Sequence, residues 1–205
     1  KKHLHPHHLH LSFSVGLSCQ KIMKESFTTR NLALMALFVA IGLVLPFLTG
    51  QIPQIGIMLS PLHYPVFLCA FLCGKREGAV VGLIIPLLRG LLFGMPPLYP
   101  MGLAMAAELA TYGFLAGFIF KKSPWNCLIA LYKALIIAIL GGRLVWGLSM
   151  LVLLIPTSQA FTWTAFVSGA IVSTIPGTIL QLVIIPALIL ALGKTRLPFF
   201  ISKSQ

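Results

Sequence analysis

The chain contains no aspartate, and its only acidic side chains are Glu25, Glu77 and Glu108. Paired acids that divide general-acid and general-base work therefore cannot be assembled inside an apolar segment, which excludes glycosidase and aspartic-protease designs. Charge is scarce altogether, at 9% of residues against 58% hydrophobic. No GxxxxGK[ST] occurs: the run Gly74-Lys75-Arg76 lacks both the upstream glycine spacing and the hydroxyl, so the chain has no P-loop with which to energise itself. HExxH and GxSxG are missing too, and no nucleophile–base pair is recognisable, so an enzyme reading fails. The four cysteines, Cys19, Cys69, Cys73 and Cys127, form no CxxC pair and have no histidine at zinc spacing. Cys69 and Cys73 stand four apart on one helical face and read as packed thiols.

What the chain does have is apolar length. A mean hydropathy of +0.99 over 205 residues lies far outside the range of soluble domains and marks an all-α, polytopic membrane protein. Hydropathy gives six spans, at about residues 32–48, 55–74, 78–93, 101–120, 127–155 and 163–192. Each is near the ~20 residues that cross ~30 Å of hydrocarbon. The net charge of +12 sits at the ends of these spans and forms no stripe interleaved with aromatics, so it signals topology rather than nucleic acid. Lys24, Arg30, Lys75, Arg76, Lys121, Lys122, Lys194, Arg196 and Lys203 all fall on one set of connections. The opposite connections, 49–54, 94–100 and 156–162, carry no Lys or Arg. By the positive-inside rule both termini are cytoplasmic. Tyr64, Tyr99 and Trp163 then mark the outer interface, with Trp125 and Tyr132 at the inner one. The connections are short, so one membrane domain over residues 23–205 is expected. Residues 1–22, with His3, His5, His7, His8 and His10 and no cleavable signal pattern, read as a disordered upstream extension or a segment foreign to the natural protein, ahead of Met23.

Three charged residues inside the spans, Arg89, Glu108 and Arg143, carry the functional signal. A charge in hydrocarbon costs from roughly 2.5 kcal/mol upward unless it is paired or wetted, so such residues usually line a ligand or ion path. Arg89 lies about five residues below Gly94 and Glu108 about seven below Met101, both in the outer half, with Arg143 nearer the midplane. Glu108 and Tyr112 share a face at i,i+4, as Arg143 and Trp146 do at i,i+3. With His63 at the outer end of the second span, these residues would form an outward-opening cavity with polar clamps and aromatic walls. The competing reading is an Arg–Glu pair that only fixes helix packing. Thr174, Thr178 and Gln181 line one face of the sixth span and read as interhelical glue. Ala33, Ala36 and Ala40 on the first span allow another helix, internal or external, to approach closely.

The stretches RNLALMALFVAIGLVLPF (30–47), MLSPLHYPVFLCAFLCG (58–74), PLLRGLLFGMPPLYP (86–100), AMAAELATYGFLAGF (104–118) and GGRLVWG (141–147) resemble the substrate-binding S components of energy-coupling factor (ECF) vitamin importers. The resemblance covers about residues 24–195. It implies a subunit that captures a vitamin outside, docks onto a transmembrane coupling (T) subunit and reorients to release its cargo inward. Two cytoplasmic ATPase subunits would supply the energy, so the chain itself would use no cofactor and ATP would belong to its partners. The family's alanine motif for coupling-subunit docking maps onto Ala36 and Ala40, and its gating loop onto residues 49–59. Two arginines favour a ligand with a carboxylate or phosphate, so pantothenate leads, with niacin, pyridoxine and hydroxymethylpyrimidine open. The alternative is a standalone proton-coupled carrier using Glu108, which the lack of a clear internal repeat weakens. The resemblance places the protein in the prokaryotic plasma membrane.

Overall fold

A computed structural model describes residues 29–48, 61–122, 127–155 and 175–194, and every regular element among them is helical. The helices are α1 (Thr29–Leu48), α2 (His63–Leu72), α3 (Lys75–Phe93), α4 (Leu103–Lys122), α5 (Cys127–Leu154) and α6 (Ile175–Lys194). Residues 1–22, the expected gate at 49–59, Trp125, Trp163 and Thr174 lie outside the described residues.

Four segments, ending in α1, α4, α5 and α6, are long and apolar enough to cross a membrane. The helix α3 matches them in length but carries Lys75, Arg76, Glu77 and Arg89. Of the second expected span, 55–74, residues 55–60 lie outside the described residues. Its described helix is only ten residues, His63–Leu72, preceded by a turn at Pro61 and Leu62. At 1.5 Å per residue it covers about 15 Å, half of the hydrocarbon. Pro65 is tolerated there because it sits in the first turn, where an amide has no intrahelical partner to lose.

Glycine geometry sets the boundaries of α3. Gly74 precedes it with φ 127°, and Gly94 ends it with φ 67°, its N–H donating to the Gly90 carbonyl at 3.1 Å. Both angles lie where a Cβ is strained. The helix α4 then begins after a wide turn, Leu98–Gly102, in which Tyr99 is extended. The Tyr99 hydroxyl donates to the Leu153 carbonyl and so ties this turn to α5.

The packing centres on α4, which contacts α2, α3 and α5, while α1 lies against α2 and α3, and α6 against α2 and α5. The α3–α4 contact is backbone on backbone. A Cβ on Gly82 would overlap the Leu109 carbonyl, one on Gly113 would overlap Gly78, and one on Gly117 would come 2.7 Å from the Lys75 Cα. These rungs descend α3 as they climb α4, so the two helices run antiparallel. Gly78-xxx-Gly82 and Gly113-xxx-Gly117 form the small-residue interface that membrane helices use in place of hydrophobic burial. At one end of this pair the Lys75 ammonium lies 4.8 Å from the Phe118 ring centre, with Lys122 at 5.8 Å from the same ring. The basic residues that flank α3 and α4 therefore share one end of the bundle.

The interior is a continuous cluster built on Phe67, Phe71, Leu109, Tyr112, Leu131, Leu135 and Ile185. A smaller one joins Ala104, Trp146, Met150 and Leu154 between α4 and α5. Large apolar side chains such as Leu91, Leu144, Leu148 and Val183 point outward, more than half exposed, as a lipid-facing surface requires.

Candidate functional site

Glu108 is the centre of the buried polar structure. Its Oε1 accepts from the Tyr112 hydroxyl at 2.6 Å, one turn along α4, and pairs with Arg143 Nη1 of α5 at 2.9 Å. The carboxylate side chain is 3% exposed and the guanidinium side chain 14%. Two donors therefore converge on one oxygen. Glu108 Oε2 has no partner among the described residues, and Arg143 bonds the carboxylate through one of its five N–H groups. A buried pair of this kind gains little net stability over an apolar replacement, because desolvation offsets the attraction, but either member alone is strongly unfavourable.

Glycine again makes the approach possible. A Cβ on Gly142 would sit on the Tyr112 ring, and one on Gly141 would press on Leu115 at 2.5 Å. The GlyGly step ahead of Arg143 thus lets α5 lie directly over Tyr112. From the other side Phe67 of α2 stacks on the same ring, 5.3 Å between centroids at 22°. The ring is clamped, which fixes the hydroxyl on Glu108.

His63, the first residue of α2, extends the cluster. Its ring stands edge-on to Tyr112, with centroids 4.9 Å apart at 89°. Nδ1 lies 2.7 Å from the side-chain nitrogen of Gln181 on α6, and both residues are buried. Four helices, α2, α4, α5 and α6, so contribute polar groups to one connected buried network. Trp146 lies one turn from Arg143, buried in the smaller cluster with Ala104 and Met150.

Arg89 does not join this network. Its Nη1 donates to the Leu43 carbonyl of α1 at 3.2 Å, and its guanidinium carbon lies 5.7 Å from the ring centres of both Phe47 and Phe93. Those rings meet edge to face at 5.0 Å. The missing Pro46 amide would have bonded the Gly42 carbonyl; Leu43 is the next carbonyl in the same turn, and Arg89 gives it a side-chain donor from α3. The sequence expectation that Arg89 and Arg143 face one cavity meets a structure in which the two serve different helix pairs.

Ala33, Ala36 and Ala40 are exposed on α1, beside Leu32, Leu37 and Val44. Among the described residues nothing covers this face. Two members of the network escaped sequence reasoning as site residues: Gln181, assigned to helix glue, and Gly142, whose signal was the GlyGly pair beside an intramembrane arginine. No group of three or more His, Cys, Asp or Glu side chains that could hold a metal ion occurs among the described residues.

No curated protein and no solved structure shows significant similarity to the chain. A family model does match: ECF transporter, substrate-specific component, over residues 30–189. The match runs from the first turn of α1 into α6, and His63, Glu108, Tyr112, Gln181 and Arg143 all lie within it. A multi-pass helical bundle with buried polar groups and no energising motif fits that description, and the chain belongs to the ECF transporter substrate-specific component family.

Proposed function

We propose that this substrate-specific component captures a small water-soluble vitamin or vitamin precursor at the Glu108–Arg143–Tyr112 network and delivers it inward with the help of partner subunits. The observation that carries the reading is the half-used ion pair. Glu108 Oε1 takes both donors, and among the described residues neither Oε2 nor the rest of the Arg143 guanidinium meets a further partner, which supports their role as acceptor and donor for a ligand. Ligands that present a carboxylate or carbonyl together with hydroxyl or N–H groups suit such a pair. Pantothenate has both and heads the candidates. Pyridoxine and hydroxymethylpyrimidine offer ring-nitrogen acceptors with hydroxyl or amino donors in place of the carboxylate or carbonyl, and niacin offers a carboxylate without a hydroxyl.

With Arg89 engaged on α1, the ligand set is Arg143, Glu108, Tyr112 and His63, with Trp146 as an aromatic wall. The exposed Ala36–Ala40 face of α1 supports docking onto a T subunit, because small side chains let a partner helix approach closely. Two ATPase subunits on the cytoplasmic side, where the basic connections place both termini, would drive the cycle in the plasma membrane.

Calorimetry on the purified chain in nanodiscs, with a panel of vitamins and precursors and no partner subunits, tests the reading. Binding of one member at low micromolar strength or tighter is expected, with Arg143→Ala weakening it by about 1.5–3 kcal/mol. Silence across the panel from folded protein would overturn it. ATP-independent, proton-driven uptake by the chain alone, lost in Glu108→Gln, would establish a secondary carrier instead. Ala36→Leu and Ala40→Leu should abolish complex formation with the coupling module while sparing ligand affinity.

A further inference from the structure

The contact between Gln181 and His63 fixes more than packing. A glutamine amide nitrogen only donates, so His63 Nδ1, 2.7 Å away, is the acceptor. An imidazole that accepts at Nδ1 is neutral and carries its proton on Nε2. That second nitrogen has no hydrogen-bond partner among the described residues.

The ring cannot easily turn to present another face. Gln181 holds Nδ1 from α6, Tyr112 stands at right angles to the ring from α4, and His63 itself is the first residue of α2. The residue before it, Leu62, provides no side-chain cap, so the amides of the first turn of α2 add partial positive charge beside the ring.

We infer that Gln181 is a positioning residue that holds His63 as an Nε2–H donor, and that this N–H, together with Arg143, selects a ligand by its acceptor end. The inference rests on the capture function proposed above and narrows the ligand class. The network has one cation and one anion, so an acceptor group is met by two directed donors rather than by excess positive charge. A carboxylate or carbonyl with two available lone-pair directions satisfies both, whereas a ligand with only donors at that end leaves both donors unpaired, the more costly mismatch.

The chain has one histidine, His63, beyond residue 10, so nitrogen-15 histidine labelling of the full chain in nanodiscs, read by difference against His63→Gln, isolates its ring. The spectrum should show a neutral ring protonated at Nε2 in the wild type, and the proton moved to Nδ1 in Gln181→Glu, whose carboxylate accepts. Binding of the panel vitamin that the wild type takes is the second readout. Both variants at His63 should weaken binding, but His63→Gln, whose amide reaches the Nε2 position, should lose clearly less than His63→Asn, whose amide reaches only Nδ1 and should lose about tenfold or more. Gln181→Glu should lose a comparable factor, and the tautomer read from the nitrogen-15 spectrum separates that loss from any cost in stability of burying the carboxylate. A wild-type ring protonated at Nδ1, or equal affinity in His63→Asn and His63→Gln, overturns the inference. If no panel vitamin binds the wild type, the capture reading fails by itself and the spectrum still decides whether Gln181 sets the tautomer.

Discussion

Arg143 and Arg89 lie in apolar helices of one bundle, and the groups around them differ in kind. Arg143 meets a carboxylate, itself bonded to a tyrosine, between α4 and α5. Arg89 meets a backbone carbonyl and two phenyl rings between α1 and α3. The first arrangement neutralises the cation, and among the described residues no second donor meets the other oxygen of the Glu108 carboxylate. The second spreads the charge over dipoles and ring faces and ties α3 to the turn of α1 that contains Pro46. This contrast is the ground on which Arg143 rather than Arg89 is proposed as a ligand contact.

The sharpest way to break this contrast is Glu108→Leu. It strands the Arg143 cation and should cost about 3–5 kcal/mol of stability, most of it recovered when Arg143→Met is added. Thermal unfolding of the single and double variants in detergent measures both numbers, and a single variant as stable as the wild type would mean that Arg143 has another partner. Next in size is Gly142→Val. Its side chain would occupy the space of the Tyr112 ring and should cost about 1–3 kcal/mol while drawing the hydroxyl off Glu108. Ligand titration should show the larger loss, since binding needs the network as well as the fold.

Arg89→Met comes third. It removes one hydrogen bond and a charge together and should cost about 1.5 kcal/mol, read from the same melting curves, with ligand affinity unchanged. A tenfold affinity loss there would return Arg89 to the ligand set. The smallest effect is expected for Phe93→Leu, about 0.5–1 kcal/mol for the lost ring contacts. A null result in that variant would leave the Leu43 carbonyl as the principal anchor of Arg89.

The helical bundle and the positions of its intramembrane charges were legible in sequence because hydrocarbon penalises charge and polar backbone so heavily. The i,i+4 pairing of Glu108 with Tyr112 followed from helical spacing alone. Choice of partner did not. A backbone carbonyl such as that of Leu43 has no sequence signature, and His63 and Gln181 meet across 118 positions. Gly78-xxx-Gly82 and Gly113-xxx-Gly117 were readable in principle. They passed unnoticed because the alanine pair on α1 is the same kind of signal, and spacing does not say which small-residue stripe faces inward.

The glycine rungs between α3 and α4 bear on how such a protein can diverge. Where two helices touch through backbone atoms, their separation does not depend on the volume of any side chain. Residues around Glu108 and Arg143 can then change without resetting the α3–α4 distance that holds α4, and with it Glu108 and Tyr112, in place. Those four glycines should be the last positions to drift, and the polar groups one turn away the first.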